Sequence, residues 1–114
     1  MIQEFRRARR RKAADIIVVT DVMAERVVGR IGNLSETGML LIATEPLVED
    51  ALYQLSFTLP GTTATPLEVG AHLLWRDDAA LSGSVWAGFR FIATTPALTA
   101  QLHSWVSAPG GHYE

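Results

Sequence analysis

Apolar and polar residues alternate along three long segments of the chain, residues 52–59, 67–76 and 84–92. Alternation with a period of two is typical of a strand that buries one face and exposes the other. The predicted inward sets are Tyr53, Leu55, Phe57 and Leu59; Leu67, Val69, Ala71, Leu73 and Trp75; and Val85, Ala87, Phe89 and Phe91. Each segment is therefore predicted to be a strand that packs against a shared core.

Three segments nearer the N-terminus also have the character of strands. Residues 15–22 are rich in β-branched side chains, residues 25–32 alternate, and residues 38–44 are largely apolar. In the alternating segment, one predicted face carries Val27, Gly29 and Ile31. Six strands, with turns roughly every eight to twelve residues, predict an all-β fold that is a small antiparallel barrel or sandwich.

A different periodicity follows the last predicted strand, at i, i+4, i+7 and i+8, which is that of one helix face. This stripe is formed by Leu98, Leu102, Trp105 and Val106. Thr95 is a suitable N-cap, and Pro96 occupies the first helical position, where proline is tolerated. Pro109 and the two glycines after it end the helix. We predict one C-terminal helix over about residues 95–107 that packs over one mouth of the barrel.

The composition restricts the class of protein. With 114 residues, 48% of them apolar and 19% charged, the chain has the make-up of one folded domain. The absence of cysteine excludes disulfides, thiolate metal sites and cysteine nucleophiles. The apolar runs are too short to span a membrane, and the N-terminus lacks the apolar stretch of a signal peptide. We therefore expect a cytoplasmic protein with no membrane span.

The net charge of −2 hides a strong asymmetry. Residues 1–12 carry six basic side chains and one acidic one, a net +5, whereas the rest of the chain carries four basic against eleven acidic, a net −7. A basic segment on an acidic body indicates that the segment meets an anion, although it could also be a solvated tail. We expect residues 1–12 to be a flexible basic segment, residues 13–108 the folded domain and residues 109–114 a tail.

A second candidate for ligand contact is the polar loop predicted at residues 33–38. Asn33 and Ser35 have short polar side chains that can hydrogen-bond a ligand oxygen or nearby backbone. Gly38 allows a positive φ, or a close approach of a ligand to backbone N–H groups. Judged alone, the loop is most simply an ordinary turn between strands, and it lacks the lysine of a phosphate-binding P-loop.

Catalytic constellations are weak in this sequence. The acidic pair at residues 77–78 is typical of a solvated turn, and His72 and His103 have no serine or aspartate partner at a recognisable spacing. We predict no enzymatic activity, no metal and no cofactor. Trp75 and Trp86 fall on successive predicted strands, where packing in the core or at the rim is the simpler interpretation, although a rim tryptophan could stack on a base.

Taken in order, the basic segment and the polar loop resemble the two sequence motifs of the PilZ domain family. Arg7 and Arg11 form the RxxxR element of that family just before the first predicted strand, with Arg6 giving the RRxxxR form. The (D/N)xSxxG element is matched by Asn33, Ser35 and Gly38. Arg6 and Arg10 also have the RxxxR spacing, but we prefer Arg7 and Arg11 because the second family arginine usually lies just before the first strand.

Two looser features agree with this resemblance. Residues 88–91 (GFRF) resemble the G-x-x-F block of the last barrel strand in the family, and Trp75 stands where a similar residue often ends the preceding strand. The resemblance covers essentially the whole chain. It implies the family fold, a six-stranded antiparallel β-barrel capped by a C-terminal α-helix.

The resemblance also implies a function, that of a bacterial receptor for the second messenger cyclic di-GMP. The implied ligand-binding residues are Arg6, Arg7, Arg11, Asn33, Ser35 and Gly38. The planar fork of arginine suits phosphate oxygens and the edge of guanine. Ordering of the N-terminal segment on binding would relay the signal to an unidentified downstream protein in motility, adhesion, polysaccharide or virulence control.

A competing interpretation needs no nucleotide. In it, the chain is a small β-barrel adaptor whose arginine-rich tail binds nucleic acid, anionic lipid or a protein partner. This alternative uses the same basic segment but leaves Asn33, Ser35 and Gly38 without a role. The acidic body argues against a specific nucleic-acid partner.

Overall fold

The fold is described from a computed structural model that covers residues 8–61, 65–78 and 84–114. Its strands are β1 (Arg11–Lys12), β2 (Val18–Asp21), β3 (Arg26–Leu34), β4 (Gly38–Ala43), β5 (Leu52–Phe57), β6 (Leu67–Asp77) and β7 (Val85–Ile92), and its helix is α1 (Pro96–Val106). The six predicted strands correspond to β2–β7. The two-residue strand β1 was not predicted, because two residues carry no periodicity.

The sheet closes on itself to form a barrel. The hydrogen-bonded order β3, β2, β5, β6, β7, β4 is completed by pairing of β4 with β3, and every pair is antiparallel. This confirms the predicted six-stranded antiparallel barrel and decides against a sandwich. The short β1 pairs with the far end of β3, through Arg11 opposite Leu34 and Lys12 opposite Asn33.

Alternation along β5 and β7 places the predicted residues inside the barrel. The buried members are Leu55, Phe57, Leu59, Ala87, Phe89 and Phe91. Along β6, the predicted set from Leu67 to Leu73 is also buried. Burying a large aliphatic or aromatic side chain stabilises a fold by about 1.5–3 kcal/mol. The predicted faces of these three strands are therefore confirmed, except at the end of β6.

A β-bulge overturns the prediction that Trp75 faces the core. Leu73 pairs with Phe89 of β7 but Trp75 pairs with Gly88, so Leu74 is an extra residue on β6. An extra residue shifts the alternation by one, so side chains beyond it change face. Trp75 is consequently 44% exposed and lies on the outer surface of the barrel.

A second bulge corrects the predicted face of β3. Val19 of β2 pairs with Gly29, but Thr20 pairs with Val27, so Val28 is the extra residue. Val28 is buried in the core, whereas Val27, which was predicted to share a face with Gly29 and Ile31, is half-exposed. Bulges of this kind bend strands, and closing a small barrel requires such bends.

Three predicted strand boundaries also differ from the structure by two residues or more. β2 begins at Val18 rather than at residue 15, and β5 ends at Phe57 rather than at residue 59. β3 continues to Leu34, because pairing with β1 and β4 extends it beyond the predicted end at residue 32. Asn33 therefore lies in a strand, and the connecting turn is confined to residues 35–37.

The predicted C-terminal helix is confirmed. The Thr95 hydroxyl accepts a hydrogen bond from the Leu98 N–H at 3.1 Å, and Pro96 occupies the first turn. The buried face of α1, carrying Leu102, Trp105 and Val106, joins the core of the barrel. His103 contacts Glu36 at 2.6 Å, which places α1 beside the turn between β3 and β4.

Gly38 is needed for contact between two strands. It pairs with Arg90 of β7, and a Cβ atom at this position would lie 2.2 Å from the carbonyl oxygen of Phe89. Its φ is not positive, and the close approach is that of the neighbouring backbone. The positive φ that the sequence suggested is therefore wrong, and Gly38 meets a packing constraint from the backbone of β7. Close approach of a ligand to this glycine stays a prediction.

We expect Gly38→Ala to lower the free energy of unfolding by about 1–3 kcal/mol, because the backbone of β7 would have to move. Gly88→Ala is the matched control. Its added Cβ meets the ring of Trp75, a half-exposed side chain that can rotate away, so a smaller loss is expected. Urea denaturation of both variants without ligand measures the difference. An equal or smaller loss in Gly38→Ala would contradict the packing argument.

Candidate ligand-binding site

Pairing with β3 directs the arginine side chains of the basic segment to two opposite sides. Successive side chains of an extended segment point to opposite sides, so Arg9 and Arg11 share one side and Arg10 lies on the other. The structure shows this division in the contacts of the three guanidinium groups. Arg6 and Arg7 lie outside the described residues.

Arg11 is directed at the C-terminal end of α1. Its Nη1 donates to the carbonyl oxygens of Trp105 at 2.6 Å and Ala108 at 3.4 Å, and its guanidinium lies 4.7 Å from the centre of a Trp105 ring. A cation at a helix C-terminus interacts favourably with the exposed carbonyls and the helix dipole. The structure therefore places Arg11 against the helix, away from Asn33.

Arg10 is the arginine that reaches the second motif. Its Nη1 donates to Oδ1 of Asn33 at 3.1 Å, and Asn33 itself is buried to 4% exposure. This contact joins the basic segment to the end of β3. The arginine involved belongs to the second RxxxR pairing, Arg6 with Arg10, rather than to the preferred pairing of Arg7 with Arg11.

Ser35 and Gly38 hold the turn after β3. The Ser35 hydroxyl accepts hydrogen bonds from the N–H groups of Thr37 and Gly38, each at 3.1 Å, and lies 3.3 Å from the Gly38 carbonyl oxygen. The Ser35 side chain is fully buried. A hydroxyl that bonds nearby backbone in this way stabilises a local turn. These two residues thus fix the path of the chain just after Asn33.

The outer surface beside Asn33 is defined by residues in register on four adjacent strands. Asn33 pairs with Leu40, Leu40 with Gly88, and Gly88 with Trp75. Gly88 has no side chain, and the indole of Trp75 lies directly over it, so a Cβ there would be 2.3 Å from the ring. The indole therefore lies close against the sheet instead of projecting into solvent.

These residues surround a cleft of about 420 Å³ on the outside of the barrel. Its lining includes Arg10, Asn33, Leu40, Trp75, Trp86 and Glu114. Both tryptophans are close to half-exposed. A concave site with aromatic walls and a few polar groups at its edge is typical of sites for small organic ligands. The cleft is large enough to hold part of a nucleotide.

The cleft itself was not predicted from the sequence. Trp75 and Trp86 were interpreted chiefly as packing residues, and the pairing of Arg7 with Arg11 was preferred to that of Arg6 with Arg10. Side chains alternate between two faces along the basic segment. This alternation would have placed Arg10 on the same face as Asn33, had it been known that the segment pairs with β3. Gly88 was noted only as part of the GFRF block at residues 88–91. Its pairing with Trp75 on the neighbouring strand was not predicted.

The described part of the chain shows no metal centre. Among the residues that the structure describes, no group of three or more histidine or acidic side chains could hold a metal ion. Within the same ranges, no helix is both long and apolar enough to cross a bilayer. Nε2 of His72 lies 2.6 Å from Oδ1 of Asp50, and neither residue lines the cleft.

The barrel, the helix at its end and the cleft on its outer surface define a small β-barrel domain with a candidate ligand site. The chain matches the family model of the PilZ domain over residues 4–108. It belongs to the PilZ domain family, as its sequence motifs had indicated. No curated protein matches it by sequence.

Solved structures share this fold. The Bacillus subtilis inhibitor of motility MotI/DgrA is 16% identical with a TM-score of 0.71, covering 92% of this chain and 50% of that one. The PilZ domain of Escherichia coli YcgR with c-di-GMP is 19% identical with a TM-score of 0.66, covering 86% of each chain. A longer YcgR structure in complex with c-di-GMP is 21% identical with a TM-score of 0.66, covering 86% of this chain and 42% of that one. The chain thus spans about half the length of the MotI/DgrA structure.

We expect Arg11→Ala to lower the free energy of unfolding by about 1–2 kcal/mol without any ligand, because α1 loses a charged hydrogen-bond donor at its end. Arg30→Ala is the control, since Arg30 is exposed on β3 and outside the cleft. Substitution of an exposed arginine should change stability by no more than about 0.5 kcal/mol. Denaturation of both variants provides the comparison, and an Arg11 variant as stable as the control would show that its helix contacts contribute nothing.

Proposed function

We propose that this chain is a bacterial receptor domain that binds cyclic di-GMP in the cleft between Arg10, Asn33, Trp75 and Trp86. The observation that carries the proposal is the hydrogen bond from Arg10 to Asn33 at 3.1 Å, at the edge of an aromatic cleft. It unites one residue from each family motif at one place. Membership of the PilZ family supports the proposal, as do the c-di-GMP complexes of the similar YcgR structures.

The chemistry of the ligand matches the residues around the cleft. Cyclic di-GMP has two anionic phosphodiesters and two guanines. A guanidinium can make forked hydrogen bonds to phosphate oxygens or to the O6 and N7 atoms of guanine. Asn33 orients the guanidinium of Arg10 at the cleft edge, and Arg6, four residues earlier, is proposed to contribute a second such contact. Arg7 is proposed to assist from the same basic segment.

The tryptophans are proposed to bind the flat faces of the bases. Trp75 and Trp86 are 44% and 46% exposed, so a large part of each ring is open to contact. Stacking of a base on an aromatic side chain contributes about 1–3 kcal/mol. Because Trp75 rests on Gly88, its indole is held in place before a ligand arrives. A guanine lying in the cleft would then meet a preformed surface.

The remaining predicted site residues have indirect roles in this proposal. Ser35 and Gly38 hold the turn that follows Asn33, and Arg11 holds the basic segment against α1. The body of the protein carries a net negative charge, so attraction of an anion must come from the basic segment, residues 1–12. Residues 13–108 would be the folded receptor domain and residues 109–114 a tail.

The proposed mechanism is binding without catalysis. No metal or cofactor takes part, and the ligand is cyclic di-GMP itself. A change in the basic segment on binding would be read by a downstream protein, whose identity the cleft does not specify. A bacterial second messenger is made and sensed inside the cell, so we propose a cytoplasmic location.

We expect Arg10→Ala to weaken cyclic di-GMP binding by about 1–3 kcal/mol, which is roughly 5- to 150-fold, because a forked contact is lost. Arg30→Ala should bind like the wild type, since it changes the net charge equally but lies outside the cleft. Isothermal titration of the three proteins gives the affinities. No binding by the wild type would refute the receptor function, and normal binding by Arg10→Ala would refute this site.

The alternative function, binding of polyanions by the arginine-rich tail, can be tested through the salt dependence of ligand affinity. Binding of a random DNA duplex should be weak at about 0.15 M salt and fall steeply as salt is added, because it depends on counterion release. Cyclic di-GMP, held by directional contacts and stacking, should lose less affinity over the same range. Titrations at several salt concentrations test this, and tighter binding of the duplex than of the dinucleotide would favour the polyanion function.

A further inference from the structure

The C-terminal residues pair with the basic segment as an extra strand. The N–H of Lys12 donates to the carbonyl oxygen of His112 at 2.7 Å, and the N–H of Glu114 donates to that of Arg10 at 3.0 Å. Arg11 and Tyr113 form an antiparallel bridge between these bonds. Residues 10–12 therefore lie between β3 on one side and residues 112–114 on the other. We refer to residues 112–114 as the tail strand.

The side chain of Tyr113 fastens the tail strand in two directions. Its ring lies beneath Arg9, with the guanidinium carbon 4.0 Å from the ring centre. Its hydroxyl donates to the carbonyl oxygen of Val106, at the end of α1, at 2.5 Å. The ring also packs against the hydrophobic core. Tyr113 thus connects the basic segment, the helix and the barrel.

The pairing of β1 with β3 is short: it consists of two residue pairs and one further hydrogen bond, from the N–H of Ala13 to the carbonyl oxygen of Gly32 at 3.0 Å. A strand this short at the edge of a sheet is held by few backbone hydrogen bonds. A slip of one residue would turn every side chain of the segment to the opposite face. Such a slip would move Arg10 away from Asn33 and bring Arg9 or Arg11 in its place. Something beyond β3 must therefore keep this register.

We infer that Tyr113 and the tail strand are positioning elements that keep Arg10 directed at Asn33, and so hold the cleft ready for its ligand. The part of this inference that concerns ligand affinity rests on the function proposed above. Tyr113 does not line the cleft, and it acts through the backbone of residues 10–12. By linkage, ligand binding at Arg10 stabilises the tail strand as much as the tail strand favours binding.

Glu114, in the tail strand, could affect ligand binding in two opposite ways. Glu114 lines the cleft together with Arg10, so its carboxylate could compete with an anionic ligand. Its N–H, in contrast, supports the segment through the carbonyl oxygen of Arg10. These two effects have opposite signs and belong to different atoms. They can be separated because proline removes both the N–H and the side-chain carboxylate, whereas alanine removes only the side-chain carboxylate.

The expected loss of ligand affinity depends on the fraction of molecules in which residues 10–12 keep their register on β3. Apparent affinity falls in proportion to the binding-competent fraction. If loss of the tail strand lowers that fraction to about a tenth, the dissociation constant rises about tenfold. Thermal stability should change little in Glu114→Pro, since Glu114 is exposed and outside the core.

The test uses two pairs of variants in the full chain. Tyr113→Ala and Glu114→Pro should each weaken cyclic di-GMP binding about tenfold by isothermal titration. Tyr113→Phe retains the ring under Arg9 and should bind more tightly than Tyr113→Ala. Glu114→Ala retains the N–H and should bind at least as tightly as the wild type. Wild-type or tighter binding by Glu114→Pro and Tyr113→Ala would overturn the inference and show the tail strand to be neutral or competing.

Amide hydrogen exchange gives a readout that does not require the ligand. In the ligand-free Tyr113→Ala and Glu114→Pro variants, the Ala13 amide, which donates to the carbonyl oxygen of Gly32 in β3, should exchange faster while the amides of β4 and β7 are unchanged. An unchanged rate at Ala13 would overturn the positioning role. If the wild type binds no cyclic di-GMP, the proposed function fails, and the exchange at Ala13 still decides whether the tail strand holds the segment against β3. If it does bind, added ligand should slow exchange at Ala13 and Glu114 together.

Discussion

The short pairing of residues 10–12 with the end of β3 is the constraint on which the candidate site depends. Because side chains of an extended segment alternate, this pairing sends Arg10 to Asn33 and sends Arg9 and Arg11 to the aromatic rings of Tyr113 and Trp105. One basic segment therefore serves two surfaces. Adjacent arginines repel one another, and their separation onto opposite faces, each with its own partners, reduces that cost.

The cleft beside Arg10 exists because of how the barrel closes. The bulge at Leu74 turns Trp75 out of the core, and the missing side chain at Gly88 allows its indole to lie against the sheet. Gly38 allows β4 and β7 to approach closely at the same end of the barrel. A flat or regular sheet would have placed Trp75 inside and left no aromatic wall. The bulge and the glycines that let the strands close into a barrel thus also shape the candidate binding surface.

The same pairing places the candidate ligand site in mechanical contact with α1. Arg10 is at the cleft, while the next residue, Arg11, donates to carbonyl oxygens at the end of the helix. His103 on the helix contacts Glu36 in the turn that follows Asn33. The basic segment and the turn after β3 therefore each contact α1. Such an arrangement suits a domain whose bound and free states must look different to a partner protein.

The amino-acid sequence by itself determined the strands, the inward residues of β5 and β7, the capped helix and the two family motifs. These features are local: periodicity, capping and turn-forming residues act within a few positions of one another. Only the tertiary structure decided which of Arg10 and Arg11 meets Asn33 and that Trp75 faces outward. Those outcomes depend on register, and register depends on which residue of a distant strand lies opposite. A single bulge reverses every face beyond it, and the periodicity of one strand does not reveal where its partner imposes one.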